Sequence, residues 1–306
     1  MLPIRQTMES FLNLIANKEE GGPFSRFKSW EYCHRFFVES RQKHLTDEDI
    51  DILALHLSFY LASWGMYRGS SFLLQRDYKT HRNIVRIVFK DKYNELWDFD
   101  PRGKDSDELD HIASLADEAY REINDCGYGE ILERAILDDG NDEDNIDERN
   151  ISYTLITKIL MGTFAITPAF DRFFIDGLKK YNKANNTKGS SYCKERLVKL
   201  FEFVQSNGDD LNVVDGQTAF PYPMMKKADM YFWEVGYESG FIEPLENLEK
   251  YLNDKRINNI TDSKKKRVYN KLISQVGSVI PSVLTLNSTH LENISQIIEL
   301  IKRRVC

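Results

Sequence analysis

A single aspartate, Asp171, lies in an otherwise apolar part of the chain, the segment TKILMGTFAITPAFDRFF at residues 157–174. Gly162 is a residue type that ends helices, and Pro168 is a residue type that suits the first turn of the next helix. The spacing predicts two helices joined by a short turn, with Asp171 in the first turn of the second. There the exposed N–H groups and the helix dipole favour an ionised carboxylate. Asp171 is therefore either a helix-end residue or the group that carries out a reaction.

Residues 157–174 contain TKIL, then a phenylalanine, then PAFDRFF. This pattern resembles a segment of the helix-hairpin-helix DNA glycosylases, in which a lysine-bearing helix, a proline-containing loop and a catalytic aspartate follow one another. The resemblance implies that Asp171 is the catalytic acid and that Lys158 stands at the position of the catalytic lysine. Arg172 and Phe173 match the basic and apolar positions that follow. Residues 148–158, ERNISYTLITK, stand where the family has a glycine-rich hairpin. A structural or phosphate-facing role is therefore the alternative for Lys158.

This family resemblance implies a hydrolase that flips a modified or damaged base out of DNA and cleaves its N-glycosidic bond. Positive charge builds up on the sugar during that cleavage, and an ionised carboxylate beneath it stabilises the charge or orients a water molecule. One acid suffices when the base is a tolerable leaving group, so neither a metal nor a cofactor is expected. The segment also resembles one in bacterial proteins that include anti-phage glycosylases acting on modified phage bases. The implied protein is a monomer whose partner is DNA, in phage defence or in DNA repair.

A second stretch with chemical potential runs from His56 to His81 and contains aromatic and basic residues around two glycines. We expect this pocket-forming segment to bind the flipped base. Aromatic faces stack on bases, an arginine bonds a base edge, and hydroxyls add hydrogen bonds. The predicted substrate-binding residues are Trp64, Tyr67, Arg68 and Ser70. The alternative is a helix–helix contact in which the glycines permit close approach and the tryptophan fills the core.

The same stretch supplies a second functional hypothesis, because Arg76 and His81 stand five positions apart. Their spacing resembles the Arg-x4-His motif of HEPN-type ribonucleases, helical proteins in which arginine and histidine of paired subunits attack RNA. A third hypothesis is a non-catalytic helical adaptor in which Asp171 is only a helix cap.

The charge distribution is uneven, although the net charge of −7 gives no general indication of a nucleic-acid-binding protein. Residues 138–149, DDGNDEDNIDER, are strongly acidic, whereas basic residues follow Asp171. A local basic face binds phosphate whatever the total charge. The residues predicted to contact the DNA backbone are Arg172, Lys179, Lys180, Lys183 and Lys188. Solvated helix faces are the alternative for any one of these clusters.

Apolar residues recur at three- and four-residue spacing through most of the chain, which predicts an all-α, multi-helix protein. The resemblance implies that its architecture is helix-hairpin-helix glycosylase-like. We expect two helical lobes, residues 1–140 and 150–306, with a cleft between them near the acidic loop, or one interwoven domain. The four cysteines form no CxxC pair, so neither disulfides nor structural zinc are expected and a cytoplasmic location is predicted. The sequence shows neither a secretory signal nor an apolar run of membrane-spanning length.

Overall fold

The computed structural model describes residues 3–16, 25–69, 71–128, 151–185, 188–213, 221–239 and 267. These residues form helices and irregular segments, with no strand among them, which confirms the predicted all-α class. The α-helices are α1 (Ile4–Ala16), α2 (Lys28–Ser40), α3 (Asp47–Ser63), α4 (Arg82–Val88), α5 (Ser106–Cys126), α6 (Tyr153–Thr163), α7 (Arg172–Ala184), α8 (Lys194–Leu211) and α9 (Met224–Tyr237). Two 3₁₀ helices, Tyr78–His81 and Asp91–Leu96, flank α4. In this described part, every helix is too short or too polar to cross a membrane.

Helices α3 and α5 begin at matched cap residues that the sequence places three positions apart. Thr46 Oγ1 accepts the N–H of Asp49, and the Asp49 carboxylate accepts the N–H of Thr46. Asp105 and Glu108 make the same reciprocal pair at the start of α5. Each arrangement satisfies two N–H groups that have no partner within the helix, and such a cap stabilises a helix by about 1 kcal/mol.

The chain divides into two compact units. The larger comprises residues 2–171 and 189–231, and the smaller comprises residues 172–188 and 232–306 together with Met1. Helices from residues 1–140 and from residues 150–306 both belong to the larger unit. The acidic loop near which the cleft was predicted lies outside the described residues.

Helix α6 lies in the core of the larger unit and packs against α2, α3 and α5. Every residue from 155 to 170 is buried, including the turn that follows the helix. Ile156, Ile159 and Leu160 are fully buried, and burial of a side chain of this size stabilises the fold by about 1.5–3 kcal/mol. The segment that leads to Asp171 is therefore part of the hydrophobic core.

Within the smaller unit, α7 packs against the last turns of α9. Phe173 makes edge-to-face contacts with Trp233 and Tyr237, and Phe174 makes one with Phe232. The backbones of α7 and α9 approach so closely that a Cβ at Gly177 would lie 1.9 Å from the carbonyl oxygen of Phe232. Only glycine fits at this crossing.

The sequence predicted that α6 ends at Gly162, but the helix continues to Thr163. The residue with positive φ in the following turn is Ala165, at 55°. Gly162 is instead required by packing, since a Cβ there would lie 2.7 Å from Cε1 and 2.8 Å from Cδ1 of the Tyr60 ring. Tyr60 is itself buried, so the ring has little room to move.

Replacement of Gly162 by alanine is therefore expected to destabilise the protein by about 1–3 kcal/mol, the usual cost of overpacking a core. Chemical denaturation followed by circular dichroism measures the effect. Ser206→Ala, on the exposed face of α8, is the control and should change the stability by less than about 0.5 kcal/mol. A Gly162→Ala protein as stable as the wild type would show that the Tyr60 contact does not constrain this position.

Candidate active site around Asp171

Asp171 directly precedes α7, which begins at Arg172 rather than at Pro168 as predicted. The N–H of Ala169 donates to Asp229 Oδ1 at 2.9 Å, and the N–H of Phe170 donates to Thr157 Oγ1 at 3.0 Å. These side chains already satisfy the backbone donors that would otherwise be exposed at the end of a helix. The chain therefore stays irregular through residues 168–171, and Asp171 directly precedes α7 instead of lying in its first turn.

The Asp171 carboxylate forms an ion pair with Lys158, whose Nζ lies 2.9 Å from Oδ2. The Lys158 side chain is 4% exposed and the Asp171 side chain 17% exposed. A buried ammonium without a partner would be costly, so the pair explains how α6 carries a lysine in the core. The structure thus brings together the two residues predicted to be catalytic, at the point where the buried segment reaches the surface.

Trp64 extends this site, since Lys158 Nζ lies 5.3 Å from the centre of its ring. The guanidinium carbon of Arg26 lies 5.2 Å from the same ring, and Phe27 packs against it edge-on. A cation over an indole face is attracted by the electrons of the ring. Arg26 is exposed and was not among the predicted residues, because nothing in its local sequence distinguishes it from a surface arginine.

The other predicted pocket residues have different surroundings. The Tyr67 hydroxyl accepts a hydrogen bond from Ser58 Oγ at 2.9 Å and lies 2.7 Å from Nε2 of His81. Arg68 is exposed, and its guanidinium packs so close to Gly65 that a Cβ there would lie 2.7 Å from Nε. Ser70 lies outside the described residues. Of this predicted set, Trp64 is the residue that contacts the Lys158–Asp171 pair.

The predicted DNA-contacting residues of the smaller unit are spread along α7 and just beyond it. Arg172, Lys179 and Lys183 follow one stripe of the helix at spacings of seven and four residues. Asp176 lies on the same stripe and pairs with Arg172 at 3.8 Å and with Lys179 at 3.6 Å. Exposed pairs of this kind contribute little stability, so the cations can exchange partners. Lys180 is half-buried and Lys188 is exposed.

The Arg76–His81 pair does not have the arrangement that a HEPN-type ribonuclease requires. His81 is fully buried, with Nε2 2.7 Å from the Tyr67 hydroxyl and Nδ1 2.8 Å from the Tyr128 hydroxyl. Arg76 is exposed and lies outside any helix. Both ring nitrogens of the histidine are engaged by tyrosine hydroxyls. This geometry gives the ribonuclease hypothesis no support.

His81 makes the stability of the protein depend on pH. Burial lowers its pKa to about 3, from an ordinary value of 6.5 in the unfolded chain. Below pH 6.5 the unfolded chain therefore binds a proton that the folded protein does not, and stability falls as the pH falls. Between pH 7 and pH 5 this group alone is expected to remove about 2 kcal/mol. Denaturation of the wild type and of His81→Gln at both values measures the effect.

The His81→Gln protein should lose about 2 kcal/mol less than the wild type on this acidification. His34, which burial also holds at a lowered pKa of about 4, is present in both proteins and serves as an internal control. Parallel losses in the two proteins would show that His81 does not remain neutral in the fold.

Three side chains of α2 bind the three consecutive carbonyl groups at the end of α6. Trp30 Nε1 donates to the carbonyl of Met161 at 2.9 Å, and Cys33 Sγ donates to that of Gly162 at 3.5 Å. Nδ1 of His34 lies 2.7 Å from the carbonyl of Thr163, and it must carry the proton because a carbonyl only accepts. These carbonyls have no partner within the helix, so α2 satisfies the end of α6. Sequence analysis missed these three residues. Their only local signal is that Cys33 and His34 follow Trp30 by three and four positions.

The site offers the chemistry of one fixed, partly exposed carboxylate next to an ammonium and an indole. No group of three or more histidine, cysteine, aspartate or glutamate side chains within the described ranges could hold a metal ion. Comparisons of the chain with known protein families, with curated proteins and with solved structures found no match.

Proposed function

We propose that this protein is a DNA glycosylase-like enzyme that hydrolyses the N-glycosidic bond of a modified or damaged base. The observation that supports this most directly is the Asp171 carboxylate. It is the partly exposed end of a fully buried segment, and it is fixed by an ion pair at 2.9 Å. A carboxylate held on a rigid support is what electrostatic stabilisation of a charged transition state requires.

In the proposed reaction the bond between C1′ and the base breaks, and the base leaves with the bonding electron pair. The sugar then carries positive charge, which the Asp171 carboxylate stabilises from one face. Water adds to C1′, its proton passes to the carboxylate or to solvent, and an abasic site results. Cationic or electron-poor bases leave most easily, so a modified base is the proposed substrate.

Lys158 holds Asp171 in place in this proposal and does not attack the sugar. Lys158 Nζ donates to the Asp171 carboxylate at 2.9 Å and lies over an indole ring. In such an ion pair the nitrogen serves as a hydrogen-bond donor to the acid and does not offer a lone pair for nucleophilic attack. We therefore expect hydrolysis without strand cleavage. Incubation of the protein with substrate DNA and borohydride should trap no covalent complex, whereas a trapped complex that is lost in Lys158→Met would assign the attack to Lys158.

Within the larger unit, the proposed DNA contacts are the flipped base against Trp64 and Arg68, and a phosphate against Arg26. For the smaller unit, taken by itself, the α7 stripe of Arg172, Lys179 and Lys183 is proposed to bind phosphates. Binding through phosphate contacts weakens with the logarithm of the salt concentration, in proportion to the number of contacts. In this proposal the enzyme acts on DNA whose bases are damaged, or are modified as in phage DNA.

The test is incubation of the protein with a panel of end-labelled duplexes, followed by alkali to cleave at abasic sites. The panel contains unmodified DNA, dimethyl-sulfate-methylated DNA, and DNA with uracil, 8-oxoguanine or glucosylated hydroxymethylcytosine. Alkali-labile sites in a modified duplex, and their absence in the unmodified one, are the expected result. If no duplex acquires such sites, the chain is not a glycosylase of these bases and the adaptor hypothesis gains support.

A further inference from the structure

The turn that carries Asp171 is held from α9 by one side chain. Asp229 Oδ1 accepts the N–H of Ala169 at 2.9 Å, two residues before Asp171 in the chain. The bond is buried, and Asp229 is 5% exposed. A hydrogen bond from a backbone donor to a carboxylate is stronger than one between neutral groups. Asp229 therefore fixes the turn at a point close to the proposed catalytic group.

The second oxygen of Asp229 forms an ion pair with Lys226, whose Nζ lies 2.7 Å from Oδ2. The two side chains are 11% and 8% exposed, and the ammonium lies 5.1 Å from the centre of the Trp30 ring. Removing two charges from water costs several kcal/mol each, and apolar residues of similar volume pack as well or better. Packing alone therefore does not account for this pair, whereas a role for Asp229 as the acceptor of the Ala169 N–H does.

The two ion pairs around the turn have the same arrangement, in which the lysine of a Lys–Asp pair lies over a tryptophan ring. Lys158 pairs with Asp171 and lies over Trp64, and Lys226 pairs with Asp229 and lies over Trp30. Both carboxylates also act on one buried phenol. Burial raises the pKa of Tyr60, and Asp229 and Asp171 are among the charges that raise it further. The two acids thus belong to a single electrostatic neighbourhood.

We propose that Asp229 is a positioning residue for Asp171, an inference that rests on the proposed function. With its charge held by Lys226, it fixes the Ala169 N–H and thereby the direction in which the Asp171 carboxylate faces the substrate. Displacement of a reacting group by about 1 Å costs on the order of 100-fold in rate. Loss of the acceptor should therefore lower kcat while leaving KM for DNA nearly unchanged, since Asp229 is buried and is not among the proposed DNA contacts.

A matched pair of double variants isolates the acceptor. Both carry Lys226→Met, so neither leaves a buried ammonium unpaired. With Asp229→Asn the side chain keeps an oxygen for the Ala169 N–H, and with Asp229→Leu it loses that oxygen at similar volume. Amide hydrogen exchange of peptides covering residues 164–171 measures the anchoring without any substrate. Kinetics on the most reactive duplex of the panel measure the catalytic consequence.

The Leu double variant should exchange these amides at least tenfold faster than the Asn double variant, and its kcat should be about 100-fold lower at similar KM. Equal exchange in the two variants overturns the inference whatever their activity. If Asp171→Asn is inactive and the two double variants have equal kcat, the positioning role is wrong and the proposed function stands. If Asp171→Asn is fully active, or no duplex of the panel reacts, the proposed function is wrong, while exchange still reports whether Asp229 anchors the turn.

Discussion

Replacement of Asp171 by asparagine is expected to lower the rate of abasic-site formation by about 100- to 1,000-fold or more. Asparagine keeps the shape of the side chain and an oxygen that can accept from Lys158, so the turn should stay in place. It leaves the buried Lys158 ammonium without its counter-charge, so a lower melting temperature is expected. It removes the negative charge that stabilises the sugar cation. The loss should therefore appear in kcat, because the missing interaction exists only in the transition state. Single-turnover assays on the reactive duplex measure it directly.

Asp176→Asn is the matched control for this experiment. It removes one carboxylate five residues further along, where Asp176 makes only exposed ion pairs with Arg172 and Lys179. Its rate should stay within about twofold of the wild type, since exposed pairs contribute little. Circular dichroism and melting curves confirm that each variant is folded. Full activity of Asp171→Asn would show that Asp171 is only a helix cap.

The sequence is sufficient for those features that depend on neighbouring residues. The three- and four-residue spacing of apolar side chains predicts the all-α class, which the described residues confirm. Lys158 and Asp171 are separated by one helix and one short turn, so their proximity also depends on local geometry. In the structure the two side chains form an ion pair at 2.9 Å, whereas the sequence analysis named both residues without predicting that they pair.

The remaining features depend on contacts between distant parts of the chain. Asp229 reaches Ala169 across 60 residues, and Trp30 reaches Met161 across 131 residues. No spacing in a single sequence reveals such pairs. They also explain the error at the start of α7, because Asp229 binds a backbone N–H that helix rules assign to a first turn. The requirement for glycine at position 162 likewise comes from the Tyr60 ring, which is more than 100 positions away in the sequence.

The turn before Asp171 is thus fixed at both ends by side chains from other helices. Residues of α2 satisfy the carbonyls where α6 ends, and Asp229 on α9 holds the N–H of Ala169. Trp30 takes part at both ends, since its N–H binds the carbonyl of Met161 and its ring lies beneath the Lys226 ammonium. The stability of the core and the position of the carboxylate should therefore depend on the same tryptophan.

Trp30→Ala is expected to destabilise the protein by about 3–5 kcal/mol, the range for removal of a large buried aromatic side chain. Trp30 is 1% exposed and its ring stacks on His34 at 4.8 Å, so the change leaves a cavity in a tightly packed region. It also leaves the Met161 carbonyl without its donor, which adds about 1–3 kcal/mol if water cannot enter. Urea denaturation followed by far-UV circular dichroism measures the loss without depending on tryptophan fluorescence.

Two further variants separate the contributions of Trp30. Trp30→Phe keeps an aromatic ring over His34 and under Lys226 but removes the indole N–H, so its loss should be smaller than that of Trp30→Ala. Tyr32→Ala, on the same helix and 42% exposed, controls for the helix itself and should cost less than about 1 kcal/mol. If Trp30→Ala costs no more than Tyr32→Ala, Trp30 does not hold the end of α6. The anchoring of the turn would then depend less on Trp30 and more on Asp229, and the Asp229→Leu double variant should speed amide exchange at residues 164–171 correspondingly more.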